Sequence, residues 1–155
     1  MIAPLAAAVV LARPAQVLDL SVANGSRPFA DDRRLLTTVS PNGDGFRDAA
    51  IVRFRLTRPA TVRISAVATQ MVRAGRTGTA TVWTTTRTLA AGRDRLVWRP
   101  SRTTEPRTYI LRLAVAGGRV YGAYGPAEAQ NAPVVRIQQL SPSLSCFSAM
   151  MPRRP

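Results

Sequence analysis

Apolar side chains recur at every second position in short runs along this chain, and that period constrains its fold more than any other feature. From Ala50 onward, Ala50, Val52, Phe54 and Leu56 share one face while Ile51, Arg53 and Arg55 take the other, as in a strand with one face buried. Arg58-Pro59 closes that run. Val62, Ile64, Ala66 and Ala68 begin the next, with Thr61, Arg63 and Ser65 opposite. Tyr109, Leu111, Leu113 and Val115 give the clearest case, ending at Gly117-Gly118, a strong two-residue hairpin signal.

Weaker runs fill the rest. Residues 16–22 (QVLDLSV), 35–39, 79–89 around Trp83, 95–99, 119–124 and 133–138 all read as strands, while residues 71–78, basic and carrying Gly75 and Gly78, read as a long hairpin loop. No segment shows a sustained helical period with caps. Turn residues recur about every 8–12 positions, the spacing of an all-β sandwich. The expected fold is an Ig-like antiparallel β-sandwich of about 7–9 short strands spanning residues 16–139. Its core is expected to hold Val52, Phe54, Leu56, Val62, Ile64, Leu96, Trp98, Tyr109, Leu111 and Leu113.

A chain of 155 residues suits one domain with a core that needs no disulfide or metal, and 46% hydrophobic against 19% charged residues is a globular composition. The ends differ from the middle. Residues 2–12 (IAPLAAAVVLA) are apolar and finish on small residues, so residues 1–15 read as a shortened export signal or a frayed N-terminus, too short for a spanning helix. From Leu140 the serine-, proline- and methionine-rich segment has no period, and residues 140–155 read as a disordered tail and a point where a longer chain is truncated.

Chemistry is limited by what is missing. The chain has no His and a single Cys, Cys146 in the tail, which excludes Ser-His and Cys-His catalysis, intrachain disulfides and His/Cys zinc sites. The formal charge of +14 is carried by arginine alone, with no lysine. Arginine in such excess fits a surface for an anionic polymer, nucleic acid or acidic polysaccharide. The preferred reading of the charge is a GC-rich coding bias that scatters it over outward strand faces. The residues are spread from Arg13 to Arg154 with no run longer than two, and no helix-turn-helix or RNA-binding aromatic pattern accompanies them. Nucleic acid is therefore not the expected partner.

Residues 40–48 (SPNGDGFRD) concentrate turn-forming and oxygen-bearing side chains directly ahead of a strand. Asn42, Asp44, Gly45 and Asp48 overlay positions 3, 5, 6 and 9 of an EF-hand-type calcium loop, although Ile51 stands where its bidentate glutamate belongs. Two readings follow. In one, Asn42, Asp44 and Asp48 hold a calcium ion, the only cofactor the sequence brings into question. In the other, Asn42 and Asp44 bond nearby backbone amides in an Asx-type turn and the glycines take positive φ.

The order of Ser40-Pro41-Asn42-Gly43-Asp44-Gly45, Asp48, residues 51–56 (IVRFRL) and residues 60–64 (ATVRI) resembles the Ig-like domain of flagellar hook-capping proteins, the FlgD-like Ig family. Ala91-Gly92 ahead of Leu96-Val97-Trp98, and residues 108–111 (TYIL), follow in the same order, while Arg99-Pro100 and Arg107 depart from the turns that such domains often carry. The resemblance covers about residues 36–116. It implies a secreted or cell-surface accessory module of a bacterial protein, a spacer, connector or assembly surface without catalysis. Its partner would be another protein or a neighbouring domain of a longer parent chain.

Overall fold

A computed structural model of the protein describes residues 13–73, 76–122 and 131–139, with the side chains of 69–77 left aside. The apolar start, the tail and Cys146 lie outside these residues. Among the described residues nine strands occur in order: β1 (Val17–Ala23), β2 (Leu36–Val39), β3 (Ala50–Leu56), β4 (Ala60–Arg73), β5 (Arg76–Leu89), β6 (Gly92–Trp98), β7 (Thr108–Val115), β8 (Val120–Tyr121) and β9 (Val134–Ile137). There is no α-helix among the described residues, hence none long and apolar enough to cross a membrane. The protein is an all-β sandwich.

One sheet has the order β1-β3-β6 and the other β2-β9-β7-β4-β5, with β8 paired to β7. Every ladder is antiparallel except that of β2 on β9, which runs parallel from Leu36↔Val134 to Val39↔Ile137. The alternation carries the packing. On β3 and β7 each residue of the apolar set is buried and each alternate residue is half-buried or exposed, so the two inner faces meet in one continuous cluster. All ten residues nominated for the core from the sequence lie in it.

Trp98 joins the layers. It belongs to the small sheet, yet its indole stacks on Trp83 of β5 at 6.1 Å and meets Tyr109 of β7 edge-on at 5.3 Å, both from the large sheet. Trp83 faces inward opposite Ala66 because the β4–β5 register shifts there, which leaves Val82 as the extra residue of a bulge, pointing to solvent. The Tyr109 hydroxyl donates to the carbonyl of Glu105 four residues earlier, at 2.9 Å, the kind of corner that pins strands in Ig-type sandwiches. Burial, and then the Glu105 charge, push the Tyr109 phenol above its ordinary value, so the donor keeps its proton in alkaline solution.

The loop expected over residues 71–78 is a strand pair instead. Met71 pairs with Gly78, Val72 with Thr77 and Arg73 with Arg76. Val72, Thr77 and Thr79 favour a pleated backbone, and Gly78 is held within β5 opposite Met71. Beyond Ala68, β4 has β5 as its only ladder partner, because its pairing with β7 ends at Ala68↔Tyr109, so the hairpin extends past the body of the large sheet.

Replacing Trp98 with Ala is expected to cost about 3–5 kcal/mol in denaturant unfolding, since it empties a large aromatic site at the junction of both sheets. Tyr109→Phe is expected to cost about 1 kcal/mol, the net worth of one part-buried hydrogen bond. A raised phenol contributes stability that is fully present below the unfolded value near 10 and lost as pH rises through the folded value. Thermal melts of wild type should accordingly fall more steeply than those of Tyr109→Phe above about pH 10.

Candidate binding surface

The nonapeptide forms a turn that bonds to itself. The Asn42 side-chain oxygen accepts from the Asp44 amide at 3.1 Å, and Asp44 Oδ1 accepts from the Phe46 amide at 2.8 Å. Asp48 reaches back with both oxygens, accepting from the Gly43 amide at 3.0 Å and the Gly45 amide at 2.7 Å. Asn42 Nδ2 donates to Asp44 Oδ2 at 2.9 Å. These bonds require the chain to reverse tightly, and Gly43 and Gly45 supply φ of +77° and +80°, angles that a side chain resists. The structure thus brings Asn42, Asp44 and Asp48 together, with each side-chain oxygen accepting a hydrogen bond inside the turn. Among the described residues no three His, Cys, Asp or Glu side chains gather as a metal-holding group.

Arg47, inside the same motif and given no role by the sequence reading, is the largest fully buried side chain of the domain. Its backbone is left-handed, φ 59°. Its guanidinium lies 3.6 Å from the ring centroid of Phe29 and 4.8 Å from that of Phe46, a cation held against two π faces. Nε donates to the Arg27 carbonyl at 2.8 Å. Burial pushes the guanidinium below its ordinary value while the Asp32 charge opposes the shift. Asp32 is itself buried and accepts from the amides of Thr38 at 2.8 Å and Phe29 at 3.0 Å. Together these groups fasten the connection between β1 and β2 to the turn ahead of β3. Asp31, beside it in sequence, faces outward to Arg136, whose hydrogen bond lowers its carboxyl.

The chemistry left unspent lies on the outer face of the small sheet. Arg53-Phe54-Arg55 on β3 and Arg93-Asp94-Arg95 on β6 each turn two arginines outward by strand alternation. The ladder then sets Arg53 directly opposite Arg95 and Arg55 directly opposite Arg93. The result is a two-by-two array about 5 Å across the strands and about 7 Å along them at the backbone. Two carboxylates line a depression with it, Asp94 and Asp19, and one of them makes an ion pair with the array. Asp19, turned outward at a bulge in β1 where its φ is 54°, pairs with Arg55 at 3.3 Å. The array rims a shallow depression of about 570 Å³, and the same face continues past Ile51 and Val97 to Arg99 and the Asp48 turn.

Some arginines elsewhere are tied down: Arg63 to Thr84, Arg107 to Glu105 and Arg136 to Asp31. The array was hidden from the sequence reading because its halves lie 40 residues apart, and a search for runs of arginine does not see R-x-R pairs aligned by a ladder. The two R-x-R repeats on adjacent strands were the signal available. No family model, curated protein or solved structure matches this chain.

For the turn, Asp48→Ala is expected to lower stability by about 1.5–3 kcal/mol, because one charged acceptor serves two amides. Calcium at millimolar concentration is expected to leave the melting temperature unchanged, as measured by differential scanning fluorimetry. A rise of several degrees that disappears in Asp44→Asn would show that the turn holds an ion, since a ligand of the native state stabilises it by mass action.

Proposed function

We propose that this protein is a non-enzymatic Ig-like module of an exported bacterial protein, one that serves as a connector or assembly piece and works by docking. The observation that carries this reading is the directly opposed arginine pairs on β3 and β6. Like charges facing each other across a ladder destabilise a sheet, and a partner that neutralises them would offset that cost. The self-satisfied turn supports the same reading, because its carboxylates are engaged in shaping backbone. So does the resemblance of residues 36–116 to the FlgD-like Ig family, whose members are accessory modules.

The test uses the conflict between stability and docking. Arg95→Glu, placed opposite Arg53, exchanges a repulsive pair for an attractive one and is expected to raise stability by about 0.2–1 kcal/mol at low salt, with the gain shrinking as salt screens it. Urea unfolding at two ionic strengths reads both effects. A variant less stable than wild type at low salt would mean that Arg95 belongs to the scaffold, and would remove the main support for docking through this face.

A further inference from the structure

The geometry points to an acidic polysaccharide as the ligand of the small sheet's outer face, bound across β3 and β6 by Arg53, Arg55, Arg93 and Arg95. This rests on the docking reading above and names its partner. β6 is an edge strand, where outward charges are an ordinary defence against edge-to-edge pairing. That explanation does not reach β3, the central strand of its sheet, yet β3 contributes half of the array. A ligand that contacts both columns must lie on the face rather than add to the edge.

What lies on that face decides the class. Its strand residues besides the arginines are Leu18, Asp19, Ser21, Ala23, Ile51 and Val97, none aromatic. A single-stranded nucleic acid is held by stacking its bases on aromatic rings, and this face offers none. A folded protein partner is held chiefly by buried aromatic or arginine anchors seated in pockets, whereas these arginines ring a shallow, open depression. A thin chain that presents carboxylate or sulfate groups at intervals needs neither. Each guanidinium can offer a fork of two N–H donors to such a group, and the array offers several forks within one short stretch of chain. Arg53, Arg93 and Arg95 have no ion pair or side-chain hydrogen bond among the described residues, and Arg55 has only the exposed Asp19. The forks are therefore available without breaking a buried contact.

The experiment compares two variants of the whole chain that lose the same charge. One carries Arg53→Gln, Arg55→Gln, Arg93→Gln and Arg95→Gln. The other carries Arg33→Gln, Arg58→Gln, Arg63→Gln and Arg112→Gln, all exposed positions that line no depression with the array. Heparin, sulfated and carboxylated, is the probe, titrated calorimetrically at three salt concentrations, with a duplex DNA of matched charge and a polyglutamate peptide alongside. Affinity for heparin is expected to fall roughly tenfold or more in the first variant, with a shallower salt dependence, and less than about threefold in the second. Wild type is expected to bind heparin more tightly than either other polymer.

Equal losses in both variants, or no loss in the first, would overturn the site. Tighter binding of DNA or polyglutamate would overturn the ligand class. Melting curves accompany each titration, so that a variant that fails to fold is recognised, and single Arg53→Gln and Arg95→Gln variants then carry the comparison. If heparin binding fails while Arg95→Glu still stabilises the sheet, the docking module stands and the polysaccharide falls.

Discussion

Two sheets become one domain through the contact of Trp98 with Trp83 and Tyr109. Each sheet alone has one face of apolar side chains that water disfavours, and only burial against the other face resolves this. Trp98 is the largest side chain spanning that boundary, and its neighbours come from both β5 and β7. Offset and edge-on ring contacts add about 0.5–1.5 kcal/mol each beyond the area they cover. The β4–β5 bulge and the bond from Tyr109 to Glu105 can both be understood as devices that bring the partner rings into place.

A second cluster is polar and orders the connections that the core does not reach. Asp32 gathers amides from either side of itself, and Arg47 stands against Phe29 and Phe46. A buried cation without a directly bonded carboxylate is costly to desolvate, and the aromatic faces offset part of that cost. The consequence is one defined path for the chain between β1 and β3. That path fixes where the self-bonded turn sits at the end of the small sheet's outer face.

The strands and the core were readable from the sequence because alternation is a local property: Val52, Phe54 and Leu56 announce a buried face without reference to anything distant. The turn was readable for the same reason, since Asn42, Asp44 and Asp48 bond within a few residues of themselves. Three features depended on distance and were not readable. Arg47 looks like any surface arginine until Phe29 is brought over it. The β2–β9 ladder joins segments about a hundred residues apart with no turn to announce it. The arginine array needs the β3–β6 register, because a shift of one residue would carry one row to the other face. Local signals also misled once, at Gly78, where glycine content suggested a loop and the neighbouring β-branched residues prevailed.

The parallel ladder has a consequence for how the domain is made. β2 is the first strand of the large sheet in sequence, yet its partner in that sheet is β9, near the end of the described chain. While the chain is being synthesised, residues 36–39 have no ladder partner in the large sheet until residues 134–137 emerge. Pairing across such a separation is slow to find, because the whole intervening loop must first be closed. The β4–β5 hairpin and the β7 contacts can assemble earlier, leaving open the edge that β9 covers. Any interruption of translation before Val134 therefore yields a sandwich with β2 unpaired and part of the β7 edge bare, a surface suited to pairing with the wrong chain.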